Sequence, residues 1–218
     1  MGNKMNNIPS LNSNNNTIVK LETFNFGPMI CYTKLNQSFI EELKSRGDKT
    51  EAGLNHNLAG HLDEENEYCQ EDKNWFMNCT SEIFRTYVGK LSKFSLNEMG
   101  NKLLVTGVNL HSLKINFMRK YEFKPIHNHF GDISFVIYLK VPEGIKKENK
   151  DFEGIGSGPG CISFYYGEKI ENMRTQYHFV PGDGDMFLFP AATKHVVPPF
   201  KSDNIRISVS GDLTFDYK

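Results

Sequence analysis

The chain has 218 residues, 39% of them hydrophobic and 23% charged, with a formal net charge of −1. That length and apolar content suit one domain with a sizeable core, within the range that β-sandwiches and β-barrels reach. The near-neutral balance offers no basic field for nucleic acid or an anionic membrane, no apolar run approaches the ~18 residues of a spanning helix, and the start MGNKMNNIPSLNSNNN has neither the apolar stretch of a secretory signal nor the Ser or Thr at position 6 that myristoylation wants.

In chain order, residues 1–16 are rich in Asn and poor in apolar groups, so they read as a disordered arm. The remainder, 17–218, reads as a single domain, with helical support over 36–98 and a β core over 100–217. NQSFIEELKSRG predicts a short helix, with Asn36 or Ser38 as cap and Gly47 as stop. HLDEENEYCQED is acidic and polar and reads as a loop. KNWFMNCTSEIFRTYVGKLSKF places Trp75, Cys79, Ile83, Tyr87 and Leu91 at helical spacing, an amphipathic helix that needs a sheet to cover.

After residue 100 the character changes. KLLVTGVNLHSLKINFMRKYEF, ISFVIYLKVP, GCISFYYG, TQYHFVP, DMFLFP and IRISVSGDLTFDY are short alternating runs rich in β-branched and aromatic residues. EGIKKENKDFEGIGSGPG and PGDGD between them carry turn chemistry. The glycines over 154–160 lack the G-K-[ST] ending of a phosphate loop and precede a strand, so they read as a hairpin loop. Helices followed by seven or eight strands argue for an α+β, mainly β fold: a jelly-roll-like double sheet with helices packed outside it. The four cysteines, Cys31, Cys69, Cys79 and Cys161, are scattered with no C-x-x-C pair. That pattern fits free thiols in a reducing, cytoplasmic compartment better than a disulfide framework or a zinc knuckle.

Three histidines stand out. His127 and His129 sit in KPIHNHFGDISFVIYL, just ahead of an apolar strand. Residues i and i+2 of a strand point to one face about 6–7 Å apart, so both imidazoles can meet one metal. His195 follows the turn, strand and proline corner of PGDGDMFLFPAATKH, which in a rolled double sheet can bring it beside them. His56, His61, His111 and His178 have no such setting and read as surface or loop residues. Eleven residues after His195, Arg206 opens a strand with Ser208 on the same face. An arginine fork with a neighbouring hydroxyl receives a small carboxylate well. Phe117, Tyr121, Phe123 and Phe130 flank the first two histidines and read as core rather than pocket lining.

This layout, H-x-H, then YL, then FP…H, then R-x-S, resembles the iron(II)- and 2-oxoglutarate-dependent dioxygenases. It is most similar to the prolyl-hydroxylase-like branch and its small bacterial and phage members, over roughly residues 100–212. The resemblance implies a double-stranded β-helix (jelly-roll) core with N-terminal supporting helices, iron(II) as cofactor, and 2-oxoglutarate and O2 as partners. It also implies hydroxylation of a C–H bond in a protein or small-molecule substrate, a prolyl residue first, with release of succinate and CO2. A cytoplasmic setting, in a bacterial cell or phage-encoded, goes with it. Carried over by residue, His127 and His195 match the first and last metal ligands. Arg206 and Ser208 match the pair that holds the far carboxylate of 2-oxoglutarate, and Tyr138 matches a further contact to it. Most of the superfamily has H-x-D where this chain has His129. The third ligand is therefore either His129, favoured by strand alternation, or Asp132, brought back by a bend at Gly131. The alternative reading is a cupin-type metal enzyme or binding protein without 2-oxoglutarate, which shares the rolled sheet but does not need Arg206-x-Ser208. A non-enzymatic jelly roll with an incidental histidine cluster is a third.

Overall fold

A computed structural model describes residues 21–25, 27–50, 60, 62–99, 103–168 and 174–218. The Asn-rich arm 1–16, and with it His56 and His61, lies outside the described residues. The elements run β1 (Glu22–Asn25), β2 (Met29–Lys34), α1 (Gln37–Gly47), β3 (Glu64–Glu67), α2 (Gln70–Met99), β4 (Val105–Met118), β5 (Lys124–His127), β6 (Ile133–Lys140), α3 (Glu143–Lys150), β7 (Ile162–Tyr165), β8 (Gln176–Phe179), β9 (Asp185–Pro190), β10 (Lys194–Val197) and β11 (Arg206–Tyr217). They form a seven-stranded sheet, β1-β2-β9-β6-β11-β4-β3, and a four-stranded sheet, β5-β10-β7-β8. Every pairing is antiparallel. The result is a mainly β, α+β jelly roll.

Side-chain alternation on the large sheet explains both its layers. On β6, Ile133, Phe135, Ile137 and Leu139 belong to the core under the helices, whereas Tyr138 belongs to the core between the sheets. On β9, Met186 and Leu188 face the helices and Phe187 and Phe189 face the small sheet. On β11, Ile207, Val209, Leu213 and Phe215 face the helices, which leaves Arg206, Ser208, Ser210 and Asp212 on the inner side. Each fully buried large apolar side chain contributes roughly 1.5–3 kcal/mol. The polar inner row of β11 must therefore be held there for another reason.

The helices form as their patterns dictate. The Asn36 side chain caps α1 by accepting from the Phe39 amide at 2.8 Å, and Phe39, Ile40 and Leu43 are its buried face. On α2 the buried stripe is Phe76, Thr80, Ile83, Phe84 and Tyr87. Cys79 is exposed, so the buried face lies one residue round from the Trp75–Cys79 line. Phe76 stacks on Phe135 of β6 with centroids 5.2 Å apart, and Phe84 lies 5.6 Å from the same ring. No helix among the described residues is long and apolar enough to cross a membrane.

Four expectations need correction. The chain does not run helices first. β1 and β2 precede α1 and pair with each other, and β2 joins β9, because Met29, Ile30 and Cys31 have core neighbours on both sides of the sheet. The acidic segment 61–72 is not simply a loop: it holds β3 and the start of α2. There Glu65 is retained by Lys114 and Lys124 at 3.0 and 3.1 Å, so its charges are used within the sheet. The turn-like segment 143–160 begins with α3, anchored by the buried Ile145, and 154–160 joins that helix to β7 rather than closing a hairpin. Tyr121, Phe123 and Phe130 are not core: they are 63%, 40% and 92% exposed. Phe117 alone of the four packs against the core.

Candidate active site

β10 lies between β5 and β7, and its register places His195 directly opposite His127. His129 lies just past β5, where its amide donates to Ala191 O at 2.8 Å. Gly131 then takes a φ of +107°, and a Cβ there would come within 2.8 Å of Leu213 O. Glycine is what lets the chain turn tightly against β11 at this point. One ring nitrogen from each of His127, His129 and His195 lies within 4.8 Å of the others. The His129 and His195 rings are stacked, 5.0 Å apart at 8°.

Hydrogen bonds fix which nitrogens point inward. His127 Nδ1 is 2.7 Å from Pro125 O, and His195 Nδ1 is 3.0 Å from Thr193 O. His129 Nδ1 is 3.1 Å from Asp212 Oδ1. A carbonyl or carboxylate only accepts, so each Nδ1 must carry the proton, and in a neutral imidazole Nε2 is then a bare lone pair. His129 Nε2 and His195 Nε2 face each other at 3.2 Å. Two lone pairs at that distance repel unless a positive ion lies between them. Nitrogens about 2.1 Å from one ion, at angles of about 90–109°, would be about 3.0–3.4 Å apart. The donor set thus fits a metal such as iron(II). Burial pulls His127 down to about 4 and His195 well below the usual histidine range, so both are neutral and able to ligate at neutral pH.

Asp132 is not brought into this cluster. Its Oδ2 accepts from the Phe215 amide at 2.7 Å and its Oδ1 from the Tyr217 hydroxyl at 2.5 Å. It secures the end of β11. His111 bonds Thr214 Oγ1 at 2.8 Å and His178 is exposed on β8, both away from the three histidines.

A cleft of about 410 Å³ of empty space, mouth included, runs inward from the histidines between the sheets. Arg206, Ser208 and Tyr138 line it, as do Lys124 and Asn116. Arg206 is 2% exposed. Its Nη1 donates to Gly160 O at 3.0 Å, and its guanidinium carbon lies 5.4 Å from the Tyr138 ring centroid. It has no carboxylate partner among the described residues, and its Nε, the Tyr138 hydroxyl and Ser163 Oγ have no hydrogen-bond partner there. Burial lowers Arg206 from its ordinary value, but arginine starts so high that it stays a cation. A buried, uncompensated cation beside orphaned donors is costly unless an anion joins it.

Two functional candidates escaped the sequence. Lys124 reaches this cleft from β5, with Nζ 2.7 Å from Asn116 Oδ1 and 3.1 Å from Glu65 Oε2. Glu65 also serves Lys114, at 3.0 Å. Asp212 meets His129. Its signal was the polar inner row of RISVSGD, where alternate residues are Arg206, Ser208, Ser210 and Asp212.

Residues 113–212 match the family model described as "Putative 2OG-Fe(II) oxygenase". Among solved structures, the chain is similar to a 2OG-Fe(II) oxygenase family oxidoreductase from Burkholderia pseudomallei, at 15% identity and a TM-score of 0.51, covering 83% of this chain and 79% of that one. It is similar to a prolyl-4-hydroxylase from Pseudomonas putida, at 13% identity and a TM-score of 0.53, with 87% and 92% covered. It is also similar to a viral collagen prolyl hydroxylase from Paramecium bursaria Chlorella virus-1, solved as a 2OG complex, at 12% identity and a TM-score of 0.51, with 84% and 94% covered. At these identities the structures show a shared fold. No curated protein sequence matches the chain. Residues 113–212 are thus similar to the 2OG-Fe(II) oxygenases, on a jelly roll of the kind these solved structures share.

Proposed function

We propose that the chain hydroxylates a C–H bond of a polypeptide, a prolyl residue first, holding iron(II) through Nε2 of His127, His129 and His195. The observation that carries this reading is the convergence of three bare Nε2 lone pairs, each fixed by an acceptor at its Nδ1. When bound, iron(II) with 2-oxoglutarate supplies the oxygen activation for C–H hydroxylation, with succinate and CO2 as co-products. Arg206, with Ser208 and the Tyr138 hydroxyl, receives the far carboxylate of 2-oxoglutarate. Each of these residues lines the cleft, and the fork of the guanidinium suits a carboxylate. The apolar interior between the sheets, Phe164, Phe187 and Phe189 among it, excludes water from the buried end.

A polypeptide substrate is supported by the rim. Ile126 and Phe130, next to His127 and His129, are 59% and 92% exposed, which suits contact with an apolar chain passing the metal. Two of the similar folds are prolyl hydroxylases by name. The test is succinate formation under air from protein loaded with iron(II) and 2-oxoglutarate, with and without proline-containing peptides. Peptide-stimulated succinate with a mass gain of one oxygen on proline is expected. Turnover stimulated only by free amino acids or other small metabolites would overturn the polypeptide assignment.

A further inference from the structure

His127 and His195 are each oriented by a backbone carbonyl two residues before them, Pro125 O and Thr193 O. His129 has no such local partner. It lies beyond the end of β5, and its Nδ1 is held instead by a side chain from another strand, Asp212 of β11. That carboxylate is itself fixed from two further strands. Ser134 Oγ of β6 donates to its Oδ1 at 2.6 Å, and Ser112 Oγ of β4 donates to its Oδ2 at 2.9 Å. Lys114, the neighbouring cation, is bonded to Glu65 at 3.0 Å.

We propose that Asp212 is a positioning residue for the metal: by accepting from His129 Nδ1–H it fixes the tautomer and direction of that imidazole and places one negative charge directly behind an otherwise neutral ligand set. The inference rests on the reading of His127, His129 and His195 as metal ligands. Three neutral imidazoles leave a divalent ion its full charge. A carboxylate hydrogen-bonded to a ligating imidazole increases the electron density at Nε2, strengthens the bond to the metal, and favours the more highly charged oxidation state. Asp212 accepts from His129 Nδ1–H and from the Ser134 and Ser112 hydroxyls, the all-acceptor role that an ionised carboxylate fills. A mere latch between strands would be served by the two serine contacts and would not need that charge directed at His129.

The test uses the full chain and the isosteric variant Asp212→Asn, with Co(II) and anaerobic Fe(II) as probes. Loss of a contact of this kind costs about 10–100-fold in metal affinity. Asp212→Asn should therefore bind Co(II) about 10–100-fold more weakly than wild type, with a shifted Co(II) d–d band and a more positive Fe(III)/Fe(II) midpoint potential. Ser112→Ala, which leaves the Asp212–His129 contact in place, should lower thermal stability with the d–d band little changed. If Asp212→Asn keeps the wild-type Co(II) affinity, spectrum and potential and only its melting temperature falls, Asp212 is a structural latch and the inference fails alone. If wild type takes up no Co(II), or His195→Ala binds it equally well, the histidine set itself is wrong and Asp212 loses its role with it. A measurement on wild type needs no variant to fold: nitrogen-15 correlation spectra of the apoprotein should show His129 protonated at Nδ1, and an Nε2–H tautomer would overturn the assignment.

Discussion

Replacing Arg206 with methionine should have opposite consequences for ligand binding and for the fold. Methionine keeps most of the side-chain length and removes the charge and the fork. For 2-oxoglutarate, losing a buried charge-assisted partner costs roughly 2–5 kcal/mol, about 30- to several-thousand-fold in affinity. For the apoprotein, Arg206 is a buried cation that, among the described residues, hydrogen-bonds Gly160 O and leaves Nε without a partner. Its removal sacrifices that bond, about 1.5–3 kcal/mol for one made by a charged group, but relieves a desolvation penalty of several kcal/mol. Apoprotein stability should thus hold or rise while 2-oxoglutarate binding collapses. Calorimetry with 2-oxoglutarate on Co(II)-loaded protein reads the first effect and urea unfolding of metal-free protein the second. Unchanged 2-oxoglutarate affinity would refute Arg206 as the anchor. A loss of apoprotein stability beyond about 3 kcal/mol would refute the picture of an uncompensated cation waiting for an anion.

His195→Ala should abolish stoichiometric metal uptake, whereas the exposed His178→Ala should load as wild type; metal content per chain after anaerobic loading decides this. Asp132→Ala should keep metal binding yet lose stability, on the order of 1–3 kcal/mol for the Phe215 amide left without its acceptor, seen as a lower urea midpoint with unchanged Co(II) affinity. The burial-depressed histidines set a pH dependence. Between the ordinary histidine value near 6.5 and the value of about 4 for His127, the unfolded chain binds the proton and the folded one does not. Apoprotein stability should therefore be at its plateau above about pH 6.5 and fall as pH drops toward 4. A plateau unbroken down to pH 4.5 in urea titrations would contradict the neutral, buried imidazoles.

The sheet and the site differed in how much of them was legible in the chain. Six of the eight strands after residue 100, β4, β6, β7, β8, β9 and β11, announced themselves as runs of β-branched and aromatic residues, because the inner and outer faces of strands such as β6, β9 and β11 both carry apolar side chains. β1, β2 and β3 did not: β1 pairs only with its neighbour β2, and β2 and β3 find their partners far along the chain, β9 for β2 and β4 for β3, so local patterning carries no record of where they join the sheet. The H-x-H spacing and the later His195 were enough to suggest one metal, since strand geometry puts i and i+2 on one face. The proposed preference for His129 over Asp132 needed tertiary structure. What separates them is that Asp132 is already committed to the Phe215 amide and the Tyr217 hydroxyl. Lys124 and Asp212 were invisible for the same reason, as each acquires its meaning only from a partner on another strand.

The measurement that bears most directly on the central claim is an anaerobic titration of the full chain with Fe(II) and then 2-oxoglutarate, followed by visible absorption. The account predicts a charge-transfer band that appears only when both are present, saturates at one iron per chain, disappears in His195→Ala, and in Arg206→Met requires at least 30-fold more 2-oxoglutarate, the low end of the roughly 2–5 kcal/mol loss. Iron uptake with no such band at saturating 2-oxoglutarate would contradict it and point to a metal site that does not chelate this cosubstrate.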